Sequence, residues 1–181
     1  GANGKVGNIL TRKMKESSNF SPVAVYRKEE QRPIFEDLGV DHKLLSLEDP
    51  IATLAKGMEG MDAVVFSAGS GGSTGDDMTL KIDLDGAVKA MEAAEKANVK
   101  RFVIVSALNT DRRDRWEASG ILPYYIAKHY ADRILRSSGL DYTILRPGLL
   151  LDKKGSGKVD MQHPEKQKGV AREDVAEMIL A

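Results

Sequence analysis

The chain has 181 residues, enough for one domain and little more. Basic and acidic residues balance at 27 each, which removes the electrostatic case for nucleic acid or an anionic membrane as partner, and the lack of cysteine excludes disulfides, Cys-ligated zinc and thiol nucleophiles. No apolar run approaches the roughly 20 residues of a membrane-spanning helix and no signal peptide is visible, so a cytoplasmic protein is expected.

The first seven residues read GANGKVG, with Gly1, Gly4 and Gly7 three apart. Such a run normally follows a strand and opens a helix whose free amides and dipole hold a pyrophosphate. The first glycine permits a tight turn, the second lets the backbone approach the phosphates, and the third lets the helix pack closely on the sheet. Asn3, Lys5 and Val6 complete the candidate cofactor turn. The segment KVGNILTRKMKESS behind it places Val6, Ile9, Leu10 and Met14 on one helical stripe. No strand precedes the turn, although the first strand of a doubly wound sheet is central. A strand before Gly1 is therefore expected in the native protein, and the chain is expected to stop inside its last helix.

Further along, Pro22–Arg27 reads as a strand and EEQRPIFEDLG as a short helix closed by Gly39. HKLLSL is a weaker strand, and DPIATLAKGME a helix with Asp49 as N-cap and Pro50 at its first position. Asp62–Gly69 is a strand leaving into a Gly/Ser loop, Leu80–Val99 the longest helix, and Arg101–Ala107 a strand. Pro123–Gly139 reads as a helix, Asp141–Gly148 as a strand ending at Pro147, and REDVAEMIL as the start of a last helix. Four strands are nearly continuous apolar runs, as in a parallel sheet covered by helices on both faces. The expected fold is α/β, a doubly wound and mostly parallel Rossmann-type sheet in a single domain over residues 1–181. A small substrate rim is expected from 107–122 and 149–169.

Chemistry-bearing residues fall at the strand ends, where open parallel sheets bind ligands. Arg27 and Lys28 directly follow the first strand, where a basic residue suits a 2′-phosphate, so NADP(H) is preferred over NAD(H). Tyr124 and Lys128 lie four apart on one helix face. A phenol is a poor acid–base at neutral pH, and an ammonium one turn away favours the phenolate and lowers its pKa. The same lysine suits the nicotinamide ribose. Ser106, Ser67 and Arg146–Gly148 sit at strand C-terminal ends, and Ser106 is placed to hydrogen-bond a substrate oxygen. His42, His129 and His163 are scattered without metal-ligand spacing. TDRRDRW, with the single tryptophan Trp116, is a solvated loop with one anchor or a lid whose Arg112, Arg113 or Arg115 meets an anionic substrate.

With these residues in place the chain resembles the short-chain dehydrogenase/reductase superfamily, and within it the atypical group of small bacterial NAD(P)-binding epimerase/dehydratase-like or oxidoreductase proteins. GANGKVG is similar to that family's glycine turn. MDAVVFSAGSGG looks like its fourth strand and cofactor-side loop, which brings in Ser67, Ala68 and Gly69. DLDGAVKAMEAAEKANVKRFVIVSA, YYIAKHYAD, LDYTILRPG and REDVAEMI follow in family order. The resemblance implies that Gly1, Gly4 and Gly7 hold the pyrophosphate and that Arg27 selects the adenine-side phosphate. It also implies that Ser106, Tyr124 and Lys128 are catalytic and that Pro147 and Gly148 meet the nicotinamide. Asp83 falls at a catalytic position where many relatives carry Asn and the atypical group is known for Asp. An ionised Asp cannot donate, which puts an Asn-dependent proton relay in doubt. Ser46 stands where relatives often have an acid facing adenine, and the 18-residue step from Ser106 to Tyr124 is longer than in better-known small members.

The function expected is hydride transfer between NADP(H) and a small carbonyl or alcohol. The alternatives are a non-catalytic NADP(H) redox sensor and an NAD(P)-dependent epimerase or dehydratase. The expected partner is a small-molecule substrate, and the expected assembly a monomer or small homo-oligomer.

Overall fold

Val6 and Leu10 drive the first element inward: they are buried on one stripe of helix α1 (Lys5–Glu16), whose last turn carries Lys13 and Lys15 against the negative end of the helix dipole. The computed structural model describes residues 1–161 and 169–181. Within them the chain forms two compact units, Gly1–Leu44 with Pro147–Ala181, and Leu45–Arg146.

In the first unit, β1 (Val23–Tyr26) pairs in parallel with β2 (Asp41–Leu44), Val23 opposite Asp41 and Tyr26 opposite Leu44. Helix α2 (Arg32–Leu38) joins them, carries Pro33 in its first turn, and ends at Gly39 in the left-handed conformation (φ 63°). There the amides of Gly39 and Val40 return to the carbonyls of Glu36 and Phe35. Ala24, Tyr26, Phe35 and Val40 form the core under this pair, with the Tyr26 and Phe35 rings stacked at 5.5 Å. A short parallel pair, β6 (Leu150–Leu151) with β7 (Val170–Ala171), leads into α7 (Arg172–Leu180), which packs against α1.

The second unit holds a three-stranded parallel sheet in the order β3 (Ala63–Phe66), β4 (Arg101–Val105), β5 (Asp141–Leu145). Its helices are α3 (Ile51–Met58), α4 (Asp76–Met78), a π-helical stretch over Thr79–Asp85, α5 (Gly86–Lys96) and α6 (Leu122–Ser137). The core comprises Phe66, Ala87, Ala90, Met91, Ala94, Val99, Phe102, Ile104, Ala131, Leu135 and Leu140. Phe102 and Ile104 on one face of β4 and Val103 and Val105 on the other are all buried, as a central strand flanked on both faces requires.

The α/β architecture with parallel pairing is the one expected, and all four strand pairs among the described residues are parallel. Three details differ. The expected continuous helix Leu80–Val99 is broken by the π-helical stretch, in which the hydrogen bonds widen by one residue. Pro50, not Asp49, is the N-cap of α3, and the Asp49 carboxylate instead accepts the Ser46 amide at 2.8 Å. The short β6 strand lies inside the stretch read as substrate rim. Residues 162–168 of that rim, including His163, lie outside the described residues.

Candidate active site

The first unit builds a turn that suits a pyrophosphate. Gly4 is the N-cap of α1, its backbone extended, with no side chain capping the helix and no acid in the first turn. The Gly4 amide donates to the Gly1 carbonyl (3.0 Å), and the Ala2 amide ties the turn to β1 through Val25 (3.1 Å). Gly7 is the tightest position: a Cβ there would stand 2.2 Å from the Gly1 carbonyl oxygen and 3.0 Å from Ala2 Cα, both backbone atoms. A helix start that is uncapped, free of acids and closed to any side chain at Gly7 fits a dinucleotide phosphate. Val6 is buried, and Asn3 and Lys5 are exposed. The Lys5 ammonium is held by Asp152, which also pairs with Arg172 at 2.7 Å.

At the end of β1, Tyr26 turns inward and Arg27 and Lys28 stay exposed. Both of their amides donate to Gln31 Oε1, at 3.1 and 3.3 Å, which fixes the backbone of the strand tip. Among the described residues the Arg27 guanidinium makes no ion pair, whereas the neighbouring Arg32 is taken by Glu29. Ser46 closes its own local turn, its hydroxyl accepting the Glu48 amide at 3.2 Å.

The second unit gathers the remaining candidates. Ser67, Ala68 and Gly69 leave β3, and the loop is pinned one residue later where the Ser70 amide donates to Asp83 Oδ2 (3.0 Å). Asp83 belongs to the π-helical stretch and is 2% exposed. A Cβ on Gly69 would lie 3.1 Å from its Oδ1. Asp83 therefore holds the loop after β3 by accepting a hydrogen bond, which a carboxylate does without the donor an Asn would offer.

Ser106 follows β4 directly. Its amide is tied to the Leu145 carbonyl (2.7 Å), while its buried Oγ has no hydrogen-bond partner among the described residues. Lys128 is 2% exposed and donates from Nζ to the Val105 carbonyl at 2.9 Å, next to Ser106 in the chain. Burial lowers the Lys128 pKa, and the carboxylates of Asp83 and Asp132 oppose that. Tyr124 is half-buried, and its phenol is pushed up to about 12, by burial first and then by Asp83, Tyr125 and Asp132. The expectation from the sequence is that Lys128 lowers this pKa. In the chain by itself, burial and the nearby carboxylates dominate and the shift runs the other way. Pro147 and Gly148, both half-buried, follow Arg146 and lead into β6.

A family model described as NAD(P)H-binding matches residues 1–181. The chain belongs to that NAD(P)H-binding family. It is 46% identical over 181 residues to a Bacillus subtilis (strain 168) protein named "Uncharacterized sugar epimerase YhfK", covering 100% of this chain and 84% of that one. Among solved structures it is similar to the oxidoreductase ylbE from Lactococcus lactis, with 36% identity and a TM-score of 0.87 over 99% of this chain and 80% of that one. It is also similar to ChuY, an anaerobillin reductase from Escherichia coli O157:H7, with 27% identity and a TM-score of 0.79 over 99% and 86%. The expected resemblance to NAD(P)-binding epimerase-like and oxidoreductase proteins stands. Among the described residues no helix is long and apolar enough to cross a membrane.

In this NAD(P)H-binding chain the loop between β4 and α6 is more fully engaged than its charge suggested. Trp116 is 3% exposed, and its Nε1 donates to the Asn109 carbonyl at 2.9 Å. Arg112 and Arg115 both pair with Asp114, at 3.0 and 3.6 Å. Arg113 lies over the Trp116 ring at 4.8 Å and near Tyr130 at 5.9 Å. The arginines of the lid reading are thus all partnered within their own unit. Sequence reasoning missed Asp132 and Thr110, both fully buried and hydrogen-bonded to each other at 3.0 Å. The available signal was Asp132 itself, an acid four residues after Lys128 on the stripe that carries Ala127 and Ala131 inward.

Proposed function

We propose that this NAD(P)H-binding protein is an NADP(H)-dependent oxidoreductase that transfers hydride between the cofactor and a small carbonyl or alcohol substrate. The observation that carries the reading is the Ser106 hydroxyl, buried and without a partner among the described residues, beside the strand carbonyl that takes the Lys128 ammonium. A buried hydroxyl left unsatisfied costs about 1–3 kcal/mol, which a substrate oxygen accepting its proton would offset.

A bound nicotinamide supplies the hydride. Ser106 Oγ donates a hydrogen bond to the substrate oxygen and orients it. Tyr124 Oη gives that oxygen its proton, and Lys128, one turn further along α6, supplies the cation that favours the resulting phenolate. A phenol with a pKa of about 12 is protonated at neutral pH, which favours the reductive direction. Gly1, Gly4 and Gly7 would hold the pyrophosphate, Ser67–Gly69 and Pro147–Gly148 would each offer contacts to the cofactor, and Asp83 steadies the loop after β3. Residues 107–122 would contribute to the substrate site. A panel of small aldehydes and ketones tested for NADPH oxidation checks this. A folded protein that binds NADPH and oxidises it with none of them overturns the reading in favour of a redox sensor.

The choice of NADP(H) rests on Arg27, whose guanidinium is exposed and free of ion pairs among the described residues. Arg27→Ala is expected to weaken NADPH binding by about tenfold, as loss of a charge-assisted phosphate contact does, and to leave NADH binding unchanged. Parallel fluorescence titrations with the two cofactors check it.

The alkaline side of the pH profile is expected to belong to Lys128. Its pKa lies below the ordinary lysine value and that of Tyr124 above the ordinary tyrosine value, so rising pH removes the lysine proton first. Activity falls with that loss of charge, and Lys128→Arg, which stays charged, moves the limb to higher pH. A limb that stays in place in Lys128→Arg assigns it to another group.

An epimerase reading draws on the name of the Bacillus subtilis relative. It needs the same turn and the same tyrosine, and differs in returning the hydride to the substrate.

A further inference from the structure

One carboxylate ties together the three segments that surround the candidate catalytic residues. Asp132 lies one turn beyond Lys128 on α6 and is fully buried. Its Oδ2 accepts from Thr110 Oγ1 and from Arg146 Nε, each at 3.0 Å. Arg146, which directly follows β5, extends on through Nη1 to Asp111 Oδ2 at 2.8 Å. The loop after Ser106 is therefore held at Thr110 directly and at Asp111 through Arg146.

A second clasp lies beside the first. The His129 Nδ1 donates to the Thr110 carbonyl at 2.7 Å. The buried Trp116 ring from the same loop packs at 5.1 Å from the His129 ring and 6.4 Å from Tyr125. Asp132 Oδ1, by contrast, has no hydrogen-bond partner among the described residues. Burying a charge with half its acceptor capacity unused is a poor way to gain stability, because the desolvation of the pair offsets much of its attraction. It is a good way to fix geometry, since removing one partner strands the other.

We propose that Asp132 is a positioning residue, a latch that fixes the loop after Ser106 and the end of β5 onto the helix that carries Tyr124 and Lys128. The inference rests on the oxidoreductase reading for its catalytic consequence and on these contacts alone for the latch itself.

Trp116 is the single tryptophan of the chain and reports on the latch without any turnover. Asp132→Asn keeps the size of the side chain and removes its charge. The expected result is a red-shifted Trp116 emission and a rise in acrylamide quenching of about twofold or more, with far-ultraviolet circular dichroism unchanged. In the carbonyl reductase assay kcat falls by about tenfold or more through misplacement of the acid, while the NADPH Kd holds. Asp132→Glu restores part of both. Should Asp132→Asn fail to fold, Thr110→Val removes one bond of the latch and is expected to show the same changes at smaller amplitude. A folded Asp132→Asn or Thr110→Val with Trp116 as protected as in the parent overturns the latch, and so does freed Trp116 with kcat unchanged. An unlatched Trp116 in a protein with no reductase activity supports the latch and overturns the oxidoreductase reading instead.

Discussion

Replacing Tyr124 with phenylalanine is expected to lower kcat by on the order of 100-fold or more and to leave NADPH binding as it was. The ring stays, so its edge contact with Tyr125 (centroids 5.9 Å apart) and the packing of α6 are kept. What is lost is one hydroxyl, the group proposed to hand a proton to the substrate oxygen. Neither Ser106 nor Lys128 substitutes for it: the first is a far weaker acid, and the second donates to the Val105 carbonyl. Stopped-flow measurement of NADPH oxidation beside an NADPH titration separates the two effects. Intact turnover in Tyr124→Phe removes Tyr124 from the chemistry.

Gly7→Ala is expected to be the most damaging single change in the first unit. The added methyl would meet three backbone atoms, the nearest at 2.2 Å, and the chain has no rotamer with which to escape. Either α1 shifts or the turn opens, at about 1–3 kcal/mol by analogy with overpacked cores. Opening the turn also moves the amides that would face the pyrophosphate, so NADPH affinity is expected to drop by about tenfold or more. In a thermal melt the parent protein gains stability with added NADPH by mass action, and Gly7→Ala melts lower and gains little. An unchanged NADPH response would show that the turn does not carry the cofactor.

Much of the fold was legible because it repeats a two-letter pattern. PVAVYR and RFVIVSA read as buried strands, Gly39 as a helix stop, and Pro123 as a helix start, each from local chemistry alone. Boundaries shifted by a few residues where strand ends turn into loops, as at Asp62–Gly69 against Ala63–Phe66. The π-helical stretch over Thr79–Asp85 left no trace in the sequence, because its spacing differs from an ordinary helix by one residue and its apolar positions still suit either.

The candidate site divided in the same way. Local motifs were readable: the glycine turn, Tyr124 with Lys128, and Ser106 at a strand end. The electrostatics were not, since the Tyr124 shift is set first by burial and then by neighbours such as Asp83 and Asp132, none of which the motif itself contains. The roles of Thr110, Asp132 and Arg146 were equally hidden, because hydrogen bonds between a loop, a helix and a strand end have no spacing to recognise. In TDRRDRW the expected anchor is there in the buried Trp116, and the pairing of the arginines with Asp114 and the Trp116 ring had no spacing to announce it.

The most direct test of the central claim follows the hydride itself, with NADPH deuterated at the nicotinamide C4 and a small ketone found in the carbonyl panel. The account predicts that the deuterium appears on the carbinol carbon of the product, one label per NADPH consumed, and that Tyr124→Phe slows its appearance. Tight NADPH binding with no label leaving the cofactor, or label exchanged with no net consumption of NADPH, would contradict it.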